Sequence, residues 1–111
     1  MWIYDGFKLN VIKADRYPVG HYFFEPDNKL FNTHSVKVKA GDKIYLFSDG
    51  YQDQFGGNNG DKFLKSRLEN LVVSTAHLSL ENQREKLSNA FDDWKSDYEQ
   101  IDDVMIFCVE V

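Results

Sequence analysis

At 111 residues the chain has room for one small domain, or part of one, and none for a second core. Its composition, 42% hydrophobic and 15% aromatic with charges interspersed along the chain, supplies enough apolar surface to fold and excludes intrinsic disorder. The net charge of -5, with no cluster of Lys or Arg among the aromatics, withholds the basic footprint that a nucleic-acid backbone requires, so nucleic acid is not an expected partner.

Trp2–Tyr4 and Phe7–Ile12 are two extended segments around Asp5-Gly6, and Asp-Gly between apolar runs predicts a β-hairpin. A looser stretch, 16–32, holds both prolines, Pro18 and Pro26, and leads into His34–Lys39, whose period-two alternation predicts a half-exposed strand. Gly41-Asp42 reads as a turn. The apolar run Ile44–Phe47 then reads as a strand covered on both faces, ending at Ser48-Asp49-Gly50. Beyond Gly56, Gly57 and Gly60, Asp61 is placed to cap a helix whose Leu64, Leu68, Leu71 and Val72 keep helical spacing. A second helix begins near Ser79 with an inward stripe of Leu80, Leu87, Phe91 and Trp94, and with Asp92 and Asp93 on its solvated side. Asp102-Asp103 leads into a closing apolar strand, Val104–Val111. The order of several strands, two helices and one strand predicts an α+β fold, a mostly antiparallel sheet with two helices packed on one face.

The longest uninterrupted apolar run, Val104–Val109, is far short of the roughly 20 residues of a membrane-spanning helix. No basic, apolar leader follows Met1, and the single Cys108, set inside that apolar run, has no partner for an intrachain disulfide and reads as a small buried hydrophobe. These features predict a cytoplasmic setting without a membrane span.

Two features carry chemistry. Asp49 ends one buried strand and Asp102 begins another, so antiparallel pairing of those strands brings the two carboxylates to one edge of the sheet. Oxygen donors without thiolates suit the hard ions Mg²⁺ or Mn²⁺, and His21, His34 and His77 are too scattered to suggest zinc. A plainer reading competes: Asp-Gly is common wherever strands end, and by residue type alone Asp49-Gly50 is more readily a turn than a ligand.

Taken together, Gly41-Asp42, the strand to Phe47, Ser48-Asp49-Gly50 and the later acid Asp53 resemble the pattern of the SpoIIE-like (PPM, type 2C) metal-dependent serine/threonine protein phosphatases. Gln54-Phe55-Gly56-Gly57 and a helix ending in Trp94-Lys95 follow in register. Glu99-Gln100-Ile101-Asp102-Asp103-Val104 is similar to the family's closing Gln-x-Asp-Asp element, and residues 12–20 are similar to the segment that precedes the strand. One departure is Ser96, where relatives often carry glycine after Trp-Lys. The resemblance implies that residues 1–111 are the C-terminal portion of such a phosphatase domain, part of its α-β-β-α sandwich. It implies Asp49 and Asp102 as metal ligands with Gly50 beside them, Asp53 as a nearby second acid, and Asp103 as a secondary candidate. The family's metal-bridging aspartate belongs to the earlier half and has no match here; Asp5-Gly6 reads as a turn only.

The complete site implied by the resemblance hydrolyses a phosphoserine or phosphothreonine ester on a protein, with a water held between two Mn²⁺ or Mg²⁺ ions as nucleophile. In relatives the substrate is commonly a small phosphorylated regulator of the anti-sigma-factor antagonist type, and the domain is commonly joined to a sensor. This stretch alone is then not a complete enzyme, and strand edges and apolar surface left by the missing half predict a dimer or larger oligomer. Three readings stay open at this point: an excised half of a phosphatase, a pseudo-phosphatase module that binds a phosphoprotein without turning it over, and an unrelated acidic α+β interaction domain.

Overall fold

The computed structural model describes residues 1–15 and 31–111; Pro18, Pro26 and His21 lie outside the described residues. Strand β1, Trp2–Tyr4, pairs antiparallel with β2, Leu9–Val11. The turn between them is built by Asp5, whose Oδ1 accepts the Phe7 and Lys8 amides, each at 3.0 Å, and by Gly6 at φ 92°. Strand β3, Lys43–Phe47, lies on the other edge of β1, and β6, Ile106–Glu110, lies outside β3, so the sheet runs β2-β1-β3-β6 with every pair antiparallel. Between β3 and β6 come the short helix α1, Gly50–Asp53, a ribbon of β4, Phe55–Gly56, and β5, Asp61–Lys62, and then helices α2, Lys65–Thr75, and α3, Leu80–Lys95.

Residues directly opposite in antiparallel register share a face, so Trp2, Tyr45 and Cys108 point the same way. That face meets Leu68 and Val72 of α2 and Leu87 and Phe91 of α3, with Tyr51 and Phe63 filling the space between. Burying the tyrosines requires partners for their hydroxyls. Tyr51 donates to the Leu87 carbonyl at 2.7 Å, and Tyr45 donates at 3.0 Å to Gln83 Oε1, whose amide nitrogen reaches Thr75 Oγ1 at 3.1 Å. Burial pushes both phenols above their ordinary range. Lys43, on the same face, is buried too. Its Nζ donates to the carbonyls of Ala76 at 2.9 Å and Leu78 at 2.6 Å, where α2 ends and its carbonyls lack helical partners.

Helix α3 starts as its sequence dictates, with the Ser79 hydroxyl accepting the Asn82 amide at 3.3 Å. Of its stripe, Leu87 and Phe91 are buried, Trp94 is half-buried and Leu80 is exposed; Asp92 and Asp93 face solvent.

The α+β class, the antiparallel sheet and the two long helices stand as expected, and four details differ. Residues 34–39 form no strand: their alternation is genuine, yet Val36 and Val38 are exposed and no neighbour pairs with them among the described residues. Residues 44–47 are not covered evenly on both faces: Ile44 and Leu46 share the face opposite Tyr45 with Val109 and Phe107, and there Ile44 is half-buried beside the buried Ile3 while Leu46, Phe107 and Val109 are exposed. Asp61 does not cap α2; it pairs with Gly56 in the ribbon, and Leu64 takes the cap position at φ 75° without a side-chain bond. The short α1 directly after Ser48-Asp49 is a third helix that no periodicity announces, since one turn carries no pattern.

Candidate functional site

The seam between the end of β3 and the approach to β6 is where the sequence candidates fall. Ser48 stitches it. The Ser48 amide donates to the Met105 carbonyl at 3.0 Å, and its hydroxyl donates to the Asp103 carbonyl at 2.7 Å while accepting the Met105 amide at 3.0 Å. Gly50 presses on the same carbonyl from the next turn, and a Cβ there would overlap the Asp103 backbone, so only glycine permits this approach. Asp49 lies between these two contacts, at the N-cap of α1, where its backbone is αR rather than the extended form usual for a cap and its side chain makes no capping hydrogen bond. Asp49 and Asp102 thus stand at the same end of the β3–β6 pair, on exposed backbone that Ser48 and Gly50 bring together.

The other acids have local duties. Asp102 Oδ1 accepts the Asp103 amide at 2.7 Å, and its carbonyl accepts Gln100 Nε2 at 2.9 Å. Asp53, at the far end of α1, accepts Lys62 Nζ at 3.1 Å, so its charge already has a partner from the ribbon. Among the described residues no three His, Cys, Asp or Glu side chains converge on a point that could hold a metal ion. The donors at the seam are hard carboxylate oxygens, which fit one side of an Mg²⁺ or Mn²⁺ shell and do not close it. His77 is remote in the fold from the seam: it follows α2 and lies beside Lys43 and Glu110 at the opposite end of β3.

Behind the seam stands a packed frame whose members the sequence offers as separate motifs, Gln54-Phe55-Gly56-Gly57 and Trp94, without the contact that joins them. Trp94 Nε1 donates to the Gln54 carbonyl at 3.1 Å, the Gly57 amide donates to the Trp94 carbonyl at 2.9 Å, and the Arg67 guanidinium covers the Trp94 ring at 4.4 Å. Gln54-Phe55-Gly56-Gly57 and Trp94 are therefore one mutual contact, 40 residues apart in sequence, in which Gly56 gives Trp94 room.

The sequence model of the family described as Stage II sporulation protein E (SpoIIE) matches residues 8–111. The chain belongs to the SpoIIE family. Its fold is also that of a solved structure, the SiaA-PP2C domain of Pseudomonas aeruginosa, with a TM-score of 0.84 at 24% sequence identity. That likeness covers 99% of the SpoIIE-family chain described here and 42% of the other chain, so this chain spans less than half of the length of that structure. No curated protein matches. The SpoIIE chain thus has the fold of a phosphatase-type domain, and no helix among its described residues is long and apolar enough to cross a membrane.

Proposed function

We propose that residues 1–111 are the C-terminal portion of a SpoIIE-type protein serine/threonine phosphatase domain, and that they contribute Asp49 and Asp102 to a divalent metal centre completed by the earlier half. The observation that carries this reading is the seam itself: Ser48 and Gly50, the two neighbours of Asp49, both contact Asp103, the neighbour of Asp102. The open apolar face of Leu46, Phe107 and Val109 is the surface on which the remainder of an α-β-β-α sandwich would sit.

In this reading Mn²⁺ or Mg²⁺ supplies charge neutralisation at the phosphoryl oxygens and an activated water for hydrolysis. Asp49 and Asp102 hold the ions, Gly50 lets the two segments close, and Asp103 contributes its carbonyl to the seam. Asp53, already paired with Lys62, keeps a supporting place. The substrate is a phosphoserine or phosphothreonine on a regulator protein of the anti-sigma-factor antagonist type, in cytoplasmic signalling. The chain by itself holds only one side of the metal shell and should not turn substrate over.

Mn²⁺ titration followed by electron paramagnetic resonance tests the ligands, and p-nitrophenyl phosphate turnover tests the completeness of the site. The 111-residue chain should bind Mn²⁺ weakly, Asp49→Asn and Asp102→Asn should each abolish that binding without unfolding the chain, and turnover should require an earlier half on the same polypeptide. Binding that survives both substitutions refutes the assignment of ligands. Metal-dependent turnover by the 111-residue chain refutes the half-site. In the longer polypeptide, capture of a phosphopeptide without turnover would mark a binding module instead.

A further inference from the structure

We propose that Gln54 is a positioning residue that fixes the Asp102 segment against the Asp49 segment, an inference that rests on the function proposed above. Gln54 is the residue that ends α1, the helix that starts beside Asp49, and it is completely buried, at 0% exposure. Its Nε2 donates to the carbonyls of Phe55 and Glu99, both at 2.9 Å, and its own carbonyl accepts Trp94 Nε1 at 3.1 Å and the Phe63 amide at 2.9 Å. Because both side-chain partners are carbonyl oxygens, only the NH₂ end of the amide can face them, which settles its orientation.

The opposite end of that amide is unsatisfied: Gln54 Oε1 is buried with no hydrogen-bond partner among the described residues. An unmet buried acceptor is destabilising, and methionine would fill the same space without one. Packing alone therefore does not account for a glutamine here. The bond to Glu99 does, because Glu99 stands three residues before Asp102. Ser48 grips the same segment on the far side of Asp102, at Asp103 and Met105. Side chains on either side of Asp49 thus hold both flanks of Asp102, and without Gln54 the earlier flank loses its side-chain anchor to α1. A group that orients a ligand-bearing segment in this way is expected to act on metal affinity through geometry rather than by contact.

Gln83 provides the matched control. It is a glutamine of comparable burial, at 1% exposure, bonded through Nε2 to the Val72 carbonyl and Thr75, and none of its hydrogen bonds touches residues 99–105. The experiment compares the 111-residue chain with Gln54→Met, Gln54→Asn and Gln83→Met, at urea concentrations that equalise global stability. Amide exchange is read across residues 99–105 by mass spectrometry, and Mn²⁺ affinity by electron paramagnetic resonance. Exchange in 99–105 should rise about tenfold in the Gln54 variants and less than about twofold in Gln83→Met. The Mn²⁺ dissociation constant should rise by about tenfold in the Gln54 variants only. Should Gln54→Met fail to fold, Gln54→Asn, which keeps the amide and shortens its reach, carries both measurements. Equal exchange in Gln54 and Gln83 variants overturns the tie, and raised exchange with unchanged Mn²⁺ affinity overturns its positioning role. If the wild-type chain binds no Mn²⁺, the ligand assignment fails, while exchange at 99–105 still decides whether the tie exists.

Discussion

Replacing Ser96 with glycine should stabilise the chain. Ser96 follows α3 at φ 45° and ψ -123°, its amide donating to the Asp92 carbonyl at 2.8 Å while the Tyr98 amide closes onto the Lys95 carbonyl at 2.9 Å. This is the second position of a tight turn with the dihedral angles of type II′, where a Cβ crowds the backbone and glycine is favoured. A non-glycine residue in such a region costs about 1–3 kcal/mol. Glycine gives back about 0.5–1 kcal/mol through the greater freedom of the unfolded chain. The balance favours Ser96→Gly by about 1 kcal/mol, which for a domain near this size raises the thermal midpoint by about 4–8 °C. Circular dichroism melts of wild type, Ser96→Gly and Ser96→Ala give the answer, since alanine removes the hydroxyl and keeps the Cβ. An unchanged or lower midpoint for Ser96→Gly, or an equal rise for Ser96→Ala, refutes the attribution to backbone strain.

Lys43→Met removes the ammonium that satisfies the Ala76 and Leu78 carbonyls at the end of α2, and urea unfolding should show a loss of about 2–3 kcal/mol; an unchanged midpoint would show that water replaces the ammonium fully. The Asp5 carboxyl is held well below its ordinary 3.8, at about 2, by the Lys8 and Phe7 amides and the Asn10 amide group. A lowered folded-state pKa means a contribution to stability that is complete above pH 3.8 and lost as pH falls toward 2, so an NMR titration of the Asp5 carboxyl should give a midpoint near 2, and one near 3.8 would contradict the turn geometry. The open face carrying Leu46 at 45% and Phe107 at 54% exposure should drive self-association of the isolated chain, visible by light scattering as a dimer or larger species that Leu46→Lys with Phe107→Lys disperses; a clean monomer at micromolar concentrations refutes it.

Much of this fold is written locally. Asp5-Gly6 specifies its turn through side-chain and backbone properties confined to a few residues, and Ser79 specifies the start of α3 in the same way. The failures share a different cause. The alternation of His34–Lys39 reports a capacity for pairing, and pairing needs a second strand whose position no local pattern contains. The apolar run Ile44–Phe47 equally suits burial on both faces, and among the described residues the helices pack on the Tyr45 side. The exposed Leu46 side is the one that the proposed function assigns to the remainder of a larger domain.

The site divides along a similar line. Asp49 and Asp102 stand out in the sequence through the family resemblance, since by residue type alone Asp49-Gly50 is more readily a turn, and antiparallel pairing of β3 with β6 carries both to a common edge. Ser48, Gly50 and Gln54 stand in the motifs that carry the resemblance, yet what they do is not legible in the sequence, because they act through backbone groups whose locations exist only after folding. Gly50 matters for the Cβ it lacks next to Asp103, and Gln54 for a bond to the carbonyl of Glu99, 45 residues away. The same holds for Trp94, whose indole and carbonyl tie the end of α1 and the start of the ribbon to α3. If ligand placement depends on these ties as argued, a carboxylate pair grafted onto another sheet edge without them would share the chemistry of Asp49 and Asp102 and not their fixed geometry, and its metal affinity would fall accordingly.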